Sequence, residues 1–205
     1  MYFLTLLRHG ESVGNLEDRF QGQADFPLTE RGLRQAQALA QRWQREGRTF
    51  DRCISSPLQR ARQTAEILCA ALKISLELDN DWMELNNGLI AGMRSEEANR
   101  AFPPPALHTP YTRYGQIGES LLEVYLRAGR NLQKLLDAPP QRVLIVAHAG
   151  ILNMFLFNVL HLPLQPNYQG ARFKFGNTGF LDLTYDRSRH AWRIWNFDNT
   201  GDMLQ

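Results

Sequence analysis

The chain has 205 residues, 43% of them hydrophobic, enough to bury one sizeable core, so a single domain over 1–205 is expected. Its net charge is +2, carried by twenty scattered arginines and only three lysines (Lys73, Lys134, Lys174), which leaves no dense basic block for a nucleic-acid partner. The N-terminal apolar run lacks a charged leader and no later run approaches the ~18 residues of a membrane span, so a cytoplasmic protein with no membrane partner is expected.

Residues 2–7 form an apolar run that reads as a buried strand and stops at Arg8-His9-Gly10-Glu11-Ser12. Thr29 is an N-cap candidate for an amphipathic helix with Leu33, Ala36, Ala40 and Trp43 on one stripe and Gly47 near its stop. A short strand is predicted over 50–55. Ser56-Pro57 then opens a second helix in the favoured cap-then-proline order, with Leu58, Ala61, Ala65, Leu68 and Leu72 as its stripe. Another strand is placed over 75–78.

Between Gly88 and Gly118 the periodicity fades around Pro103-Pro104-Pro105, Pro110, Tyr111 and Tyr114, which marks a lid or small insertion over a site. Ser120-Leu121-Leu122-Glu123 has the form of a capping box, followed by the stripe Leu121, Tyr125, Ala128, Leu132 and Leu135. Residues 142–147 read as a central buried strand running into His148-Ala149-Gly150 and an apolar helix over 151–160. Residues 179–185 and 191–197 read as a hairpin through Asp186-Arg187-Ser188. Cys53 and Cys69 have no CxxC spacing and are expected as reduced core thiols, and the dispersed histidines (9, 108, 148, 161, 190) contain no metal motif. The alternation implies a three-layer α/β/α sandwich with a largely parallel central sheet, helices on both faces and the insertion over the C-terminal edge of the strands.

Because parallel crossovers are right-handed, the strand-to-helix junctions emerge at one edge of the sheet. Three of them carry reactive side chains: Arg8-His9-Gly10, Arg60 and Arg62 after Ser55-Ser56-Pro57, and His148-Ala149-Gly150. Two imidazoles and two guanidinium groups at one rim would repel one another without an anion, and helix N-termini favour an anion there. A phosphate supplies that charge. A neutral histidine can attack phosphorus in line and form a phosphohistidine. The leaving alcohol then needs a proton, which a carboxylic acid would give and later recover from water. Glu11, Asp79, Asp81 and Glu84 are candidates. Glu84 is preferred because Trp82, Met83 and Leu85 surround it with apolar surface and Asn86-Asn87-Gly88 turns the chain after it.

These blocks, with Asn15, Pro27-Leu28-Thr29-Glu30-Arg31-Gly32 and Val146-Ala147 before His148, resemble the histidine phosphatase superfamily, above all its phosphoglycerate mutase-like phosphatase branch, in an ordered match over roughly residues 3 to 182. The resemblance implies His9 as the phosphorylated nucleophile, Arg8, Arg60 and His148 as holders of the phosphoryl oxygens, and Glu84 as proton donor. It also implies that Asn15, Gln21, Gly22 and Ala149 line the substrate pocket, that Arg62 faces elsewhere, and that neither a metal nor an organic cofactor takes part. Ala149 stands where glycine is common in the family, tightening the backbone beside His148. Ile90 and Ala91 replace a frequent tryptophan-acid pair, which suggests a different, more apolar leaving-group pocket.

The leading expectation is a phosphatase hydrolysing a small phosphomonoester, the partner being a phosphorylated small molecule. The alternatives are a phosphoglycerate mutase, which returns the phosphoryl group to another hydroxyl, and a non-catalytic phospholigand-binding protein. The Tyr-Gly…Gly-Leu-Asn-Lys stretch and Arg-Arg pair of true mutases are absent here, where Gly88-Leu89-Ile90-Ala91-Gly92-Met93-Arg94 stands instead. A homodimer is the commonest assembly on symmetry grounds.

Overall fold

A computed structural model describes residues 1–199. Six strands, β1 (Tyr2–Arg8), β2 (Arg52–Ser55), β3 (Leu76–Leu78), β4 (Arg142–Ala147), β5 (Phe180–Asp186) and β6 (Ala191–Asp198), form one sheet in the order β3-β2-β4-β1-β5-β6. The first four are parallel, β5 runs antiparallel to β1, and β6 runs antiparallel to β5. Among the described residues the α-helices are α1 (Val13–Leu16), α2 (Glu30–Arg45), α3 (Gln59–Leu72), α4 (Ser95–Ala101), α5 (Leu121–Asp137) and α6 (Ala149–Val159).

Alternation along the strands divides the core in two. Leu4 and Leu6 of β1, Val143 and Ile145 of β4 and Ile54 of β2 face α5 and α6. Leu7, Leu144, Val146 and Cys53 face α2 and α3, where Trp43 packs edge-on against Phe180. Both faces of the parallel strands are therefore covered, which is why β4 reads as a continuous apolar run rather than an alternating one. Cys53 and Cys69 lie unbridged in the second of these clusters.

Local signals placed most elements correctly. Thr29 caps α2 by accepting from the Gly32 N–H, and Ser120 and Glu123 form the expected capping box on α5. Three expectations need correction. Helix α3 starts at Gln59 rather than Pro57, because Leu58 is its N-cap and has no side-chain acceptor; Asp25 instead caps Gln59 from a distant turn, at 2.7 Å. Leu33 is 37% exposed, since it sits about 100° around α2 from Gly32, on the flank of the buried Gly32, Ala36, Leu39 and Trp43 stripe. The aperiodic segment 88–118 contains the short helix α4, which buries only Ala98 and so has no stripe to betray it. None of the helices among the described residues is long and apolar enough to cross a membrane.

Candidate active site

Register brings the junctions together. Arg8 at the end of β1 lies opposite Ala147 of β4, and Ser55 at the end of β2 opposite Val146, so the three chains leave the sheet side by side. The His9 N–H still bonds to the Ala147 carbonyl at 3.1 Å, and His148 is the N-cap of α6. The two imidazoles consequently meet, their ring centroids 5.1 Å apart.

Each charged group is held by backbone. Arg8 donates to the Phe175 carbonyl at 2.7 Å. Arg60, 1% exposed, donates to the carbonyls of Ala24 at 2.9 Å and Gly22 at 2.6 Å. Gly22 presents that carbonyl from a φ of +48°, a conformation glycine adopts without strain. The guanidinium groups are thus oriented before any ligand arrives, as a site for a tetrahedral oxyanion needs.

Burial pushes the His9 imidazole well below its ordinary value, and the charges of Arg60 and Arg8 push the same way. Burial does the same to His148, with Arg60, His9 and Arg8 adding to it. Both rings are therefore neutral at physiological pH. Burial also lowers the Arg60 guanidinium to about 10, against the opposing pull of Glu84 and Asp25, which leaves it cationic. The His9 Nδ1–H donates to the Gly10 carbonyl at 2.6 Å, so the lone pair resides on Nε2. His148 Nε2 pairs with Ser56 Oγ at 2.8 Å, while His148 Nδ1 and Arg60 Nε are buried without a hydrogen-bond partner.

Glu84 reaches the same cavity from the turn after β3. Its carboxylate rests on the N-terminus of α6, accepting from Gly150 N at 2.9 Å and Ile151 N at 3.1 Å, and from its own neighbour Leu85 N at 2.9 Å. The first amides of α6, expected from the sequence to face an anionic ligand, are therefore already taken by a side chain. A Cβ at Gly150 would overlap the Glu84 carboxylate and push it from this seat.

Of the remaining expected residues, Gln21, Gly22 and Ala149 line the cavity. Asn15 is engaged in the capping box of α1, accepting from Ser12 N at 3.1 Å, and is not among the lining residues. Arg62 pairs with Glu66 at 2.7 Å on the exposed side of α3. Glu11 binds Thr29 and Arg31, and Asp79 and Asp81 share Lys134, none of them lining the cavity.

Sequence reasoning missed three contributors. Ser56 orients His148, and the chain between α6 and β5 supplies one wall through Leu164 and Phe173. Arg127, 7% exposed on α5, holds the turn that carries Glu84. It donates to the carbonyls of Asp81 at 2.9 Å, Met83 at 2.7 Å and Glu84 at 3.3 Å, and pairs with Glu119 at 2.8 Å. Arg127 and Asn131 interrupt the apolar stripe of α5, and that interruption was the one available signal.

The chain and its fold are similar to several known proteins. A protein of Cronobacter sakazakii named probable phosphoglycerate mutase GpmB is 36% identical over 208 residues, covering 99% of this chain and 94% of the relative. The structure of mycobacterial glucosyl-3-phosphoglycerate phosphatase in complex with VO3 superposes with a TM-score of 0.81 at 27% identity, covering 97% of this chain and 99% of that one. YhfR of Bacillus stearothermophilus also gives 0.81 at 27% identity, over 95% of each chain. The signature of the histidine phosphatase superfamily (branch 1) matches residues 4–198, and with the paired imidazoles at the strand rim it shows that the chain belongs to that superfamily.

Proposed function

We propose that the protein is a phosphatase that hydrolyses a phosphomonoester through a phosphohistidine on His9. The observation that carries this reading is the pair of neutral imidazoles 5.1 Å apart between the anchored guanidinium groups of Arg8 and Arg60. Nε2 of His9 attacks phosphorus as the ester P–O bond breaks, and Arg8, Arg60 and His148 stabilise the charge on the three equatorial oxygens. The buried, partnerless Arg60 Nε and His148 Nδ1 support that role, because unpaired buried polar atoms are costly unless a ligand satisfies them. Glu84 is the proton carrier, giving a proton to the departing alkoxide and then taking one from the water that attacks the phosphohistidine, which releases inorganic phosphate and restores His9. Segment 88–118 forms part of the cavity wall and acts as the lid.

The name of the curated relative favours a second reading, a phosphoglycerate mutase using the same phosphohistidine. One experiment separates them: p-nitrophenyl phosphate and 3-phosphoglycerate incubated with the protein in EDTA, followed by assays of free phosphate and 2-phosphoglycerate. We expect phosphate release that survives EDTA and falls by about 10³-fold or more in His9→Ala, together with an acid-labile phosphoryl adduct on the wild type. Interconversion of phosphoglycerates without phosphate release would establish the mutase, and no turnover of any phosphomonoester would refute both.

A further inference from the structure

Beyond its phosphate end the cavity continues to a total of about 1450 Å³. That exceeds the about 300–1,000 Å³ of a pocket for a drug-sized ligand, and a phosphoryl group with a three-carbon acid would leave most of it unfilled. The chemistry of its walls is uneven. Val124 of α5 and Met154 and Phe157 of α6 turn the edge of the main core cluster toward the space, and Phe20, Ile90 and Phe173 line it as well.

Three polar side chains on these walls are committed to the protein. Arg19 binds Glu17 and the Gly92 carbonyl, and Arg113 binds Glu123 and the Gly118 carbonyl. The Asn153 side chain is bonded at both ends, donating to Ala149 O and Phe173 O and accepting from Phe173 N. Exposed cations on the walls are Arg172 and Lys174, together with the paired Arg113. The two loops lining the cavity also grip each other: His108 N donates to Asn167 Oδ1 and Asn167 N to the His108 carbonyl, each at 2.7 Å. Two of the walls are thus tied to each other.

We infer that the alcohol half of the substrate is a bulky, mainly apolar group, an extended alkyl or aryl body, lying between the α5–α6 face and segment 88–118 while its phosphate sits at His9. This rests on the phosphomonoester reading and deepens it. The apolar part of these walls discriminates by buried area, at about fourfold in affinity per methylene.

Binding can be measured without turnover, using non-hydrolysable n-alkyl phosphonates from methyl to octyl, with 3-phosphonopropanoate as the short, carboxylate-bearing comparison, by calorimetry on the intact protein. Kd is expected to fall about fourfold per carbon until the space is filled and then level off. Octylphosphonate should bind at least about 10²-fold more tightly than 3-phosphonopropanoate. Phe173→Ser should reduce the dependence on chain length. A flat series, or tighter binding of the carboxylate-bearing compound through Arg172 and Lys174, overturns the inference even if the protein proves to be a phosphatase. A steep series in a protein that turns over no phosphomonoester overturns the catalytic reading and leaves the apolar subsite standing.

Discussion

Replacing Arg127 by methionine tests how the acid is held. The guanidinium satisfies three carbonyls of the Glu84 turn and neutralises Glu119, whose carboxylate in turn accepts from Asn86 N at 2.9 Å. Methionine keeps much of the volume and removes every donor. Breaking a buried pair from one side costs about 3–5 kcal/mol. Glu119 retains 21% side-chain exposure, so water offsets part of this, and we expect a loss of about 2–4 kcal/mol. For a chain of this size that lowers Tm by roughly 5–15 °C. Adding Glu119→Gln removes the stranded charge and should restore about 1–2 kcal/mol, so the two substitutions are strongly non-additive. Thermal melts and urea titrations of the four proteins of the cycle measure both quantities. With Glu84 displaced, kcat for alkyl phosphates should fall further than kcat for p-nitrophenyl phosphate, whose leaving group needs little protonation. A Tm drop below about 2 °C, or additivity within about 0.5 kcal/mol, would show that the network has no greater effect than a surface ion pair.

Two further outcomes follow from the same geometry. His9 and His148 stay neutral in the fold because of burial first and the neighbouring guanidinium charges second, whereas in the unfolded chain each takes up a proton near about 6.5. Their contribution to stability is therefore complete above that pH and is lost as pH falls below it, by at most about 2.7 kcal/mol per pH unit for the pair. Urea midpoints at pH 7.5 and 5.5 should show this loss, and His148→Asn should make it smaller; equal slopes in the two proteins would contradict the account. Gly150→Ala introduces a Cβ where the Glu84 carboxylate lies. It should lower kcat on alkyl phosphates by about 10²-fold with little change in KM, and unaltered kcat would remove Glu84 from the proton-transfer role.

The sequence by itself determined the sheet and the rim. Apolar runs of strand length ending at Arg8-His9 and at His148 marked β1 and β4, the capping box marked α5, and the handedness of parallel crossovers was enough to place Arg8, His9, Arg60 and His148 at one edge. Those features are local, or follow from chain direction alone. Tertiary structure decided which polar group satisfies which. The pairing of Ser56 with His148, the seat of Glu84 on the first turn of α6, the capping of α3 by Asp25 and the hold of Arg127 on the Glu84 turn all join side chains to partners far along the chain. So does the meeting of the two loops at His108 and Asn167, which ties two walls of the cavity together. Hydrophobic period records which face of an element is buried, but a hydrogen bond between distant residues leaves no periodic trace, and such bonds set the aim of Arg8, Arg60, His148 and Glu84.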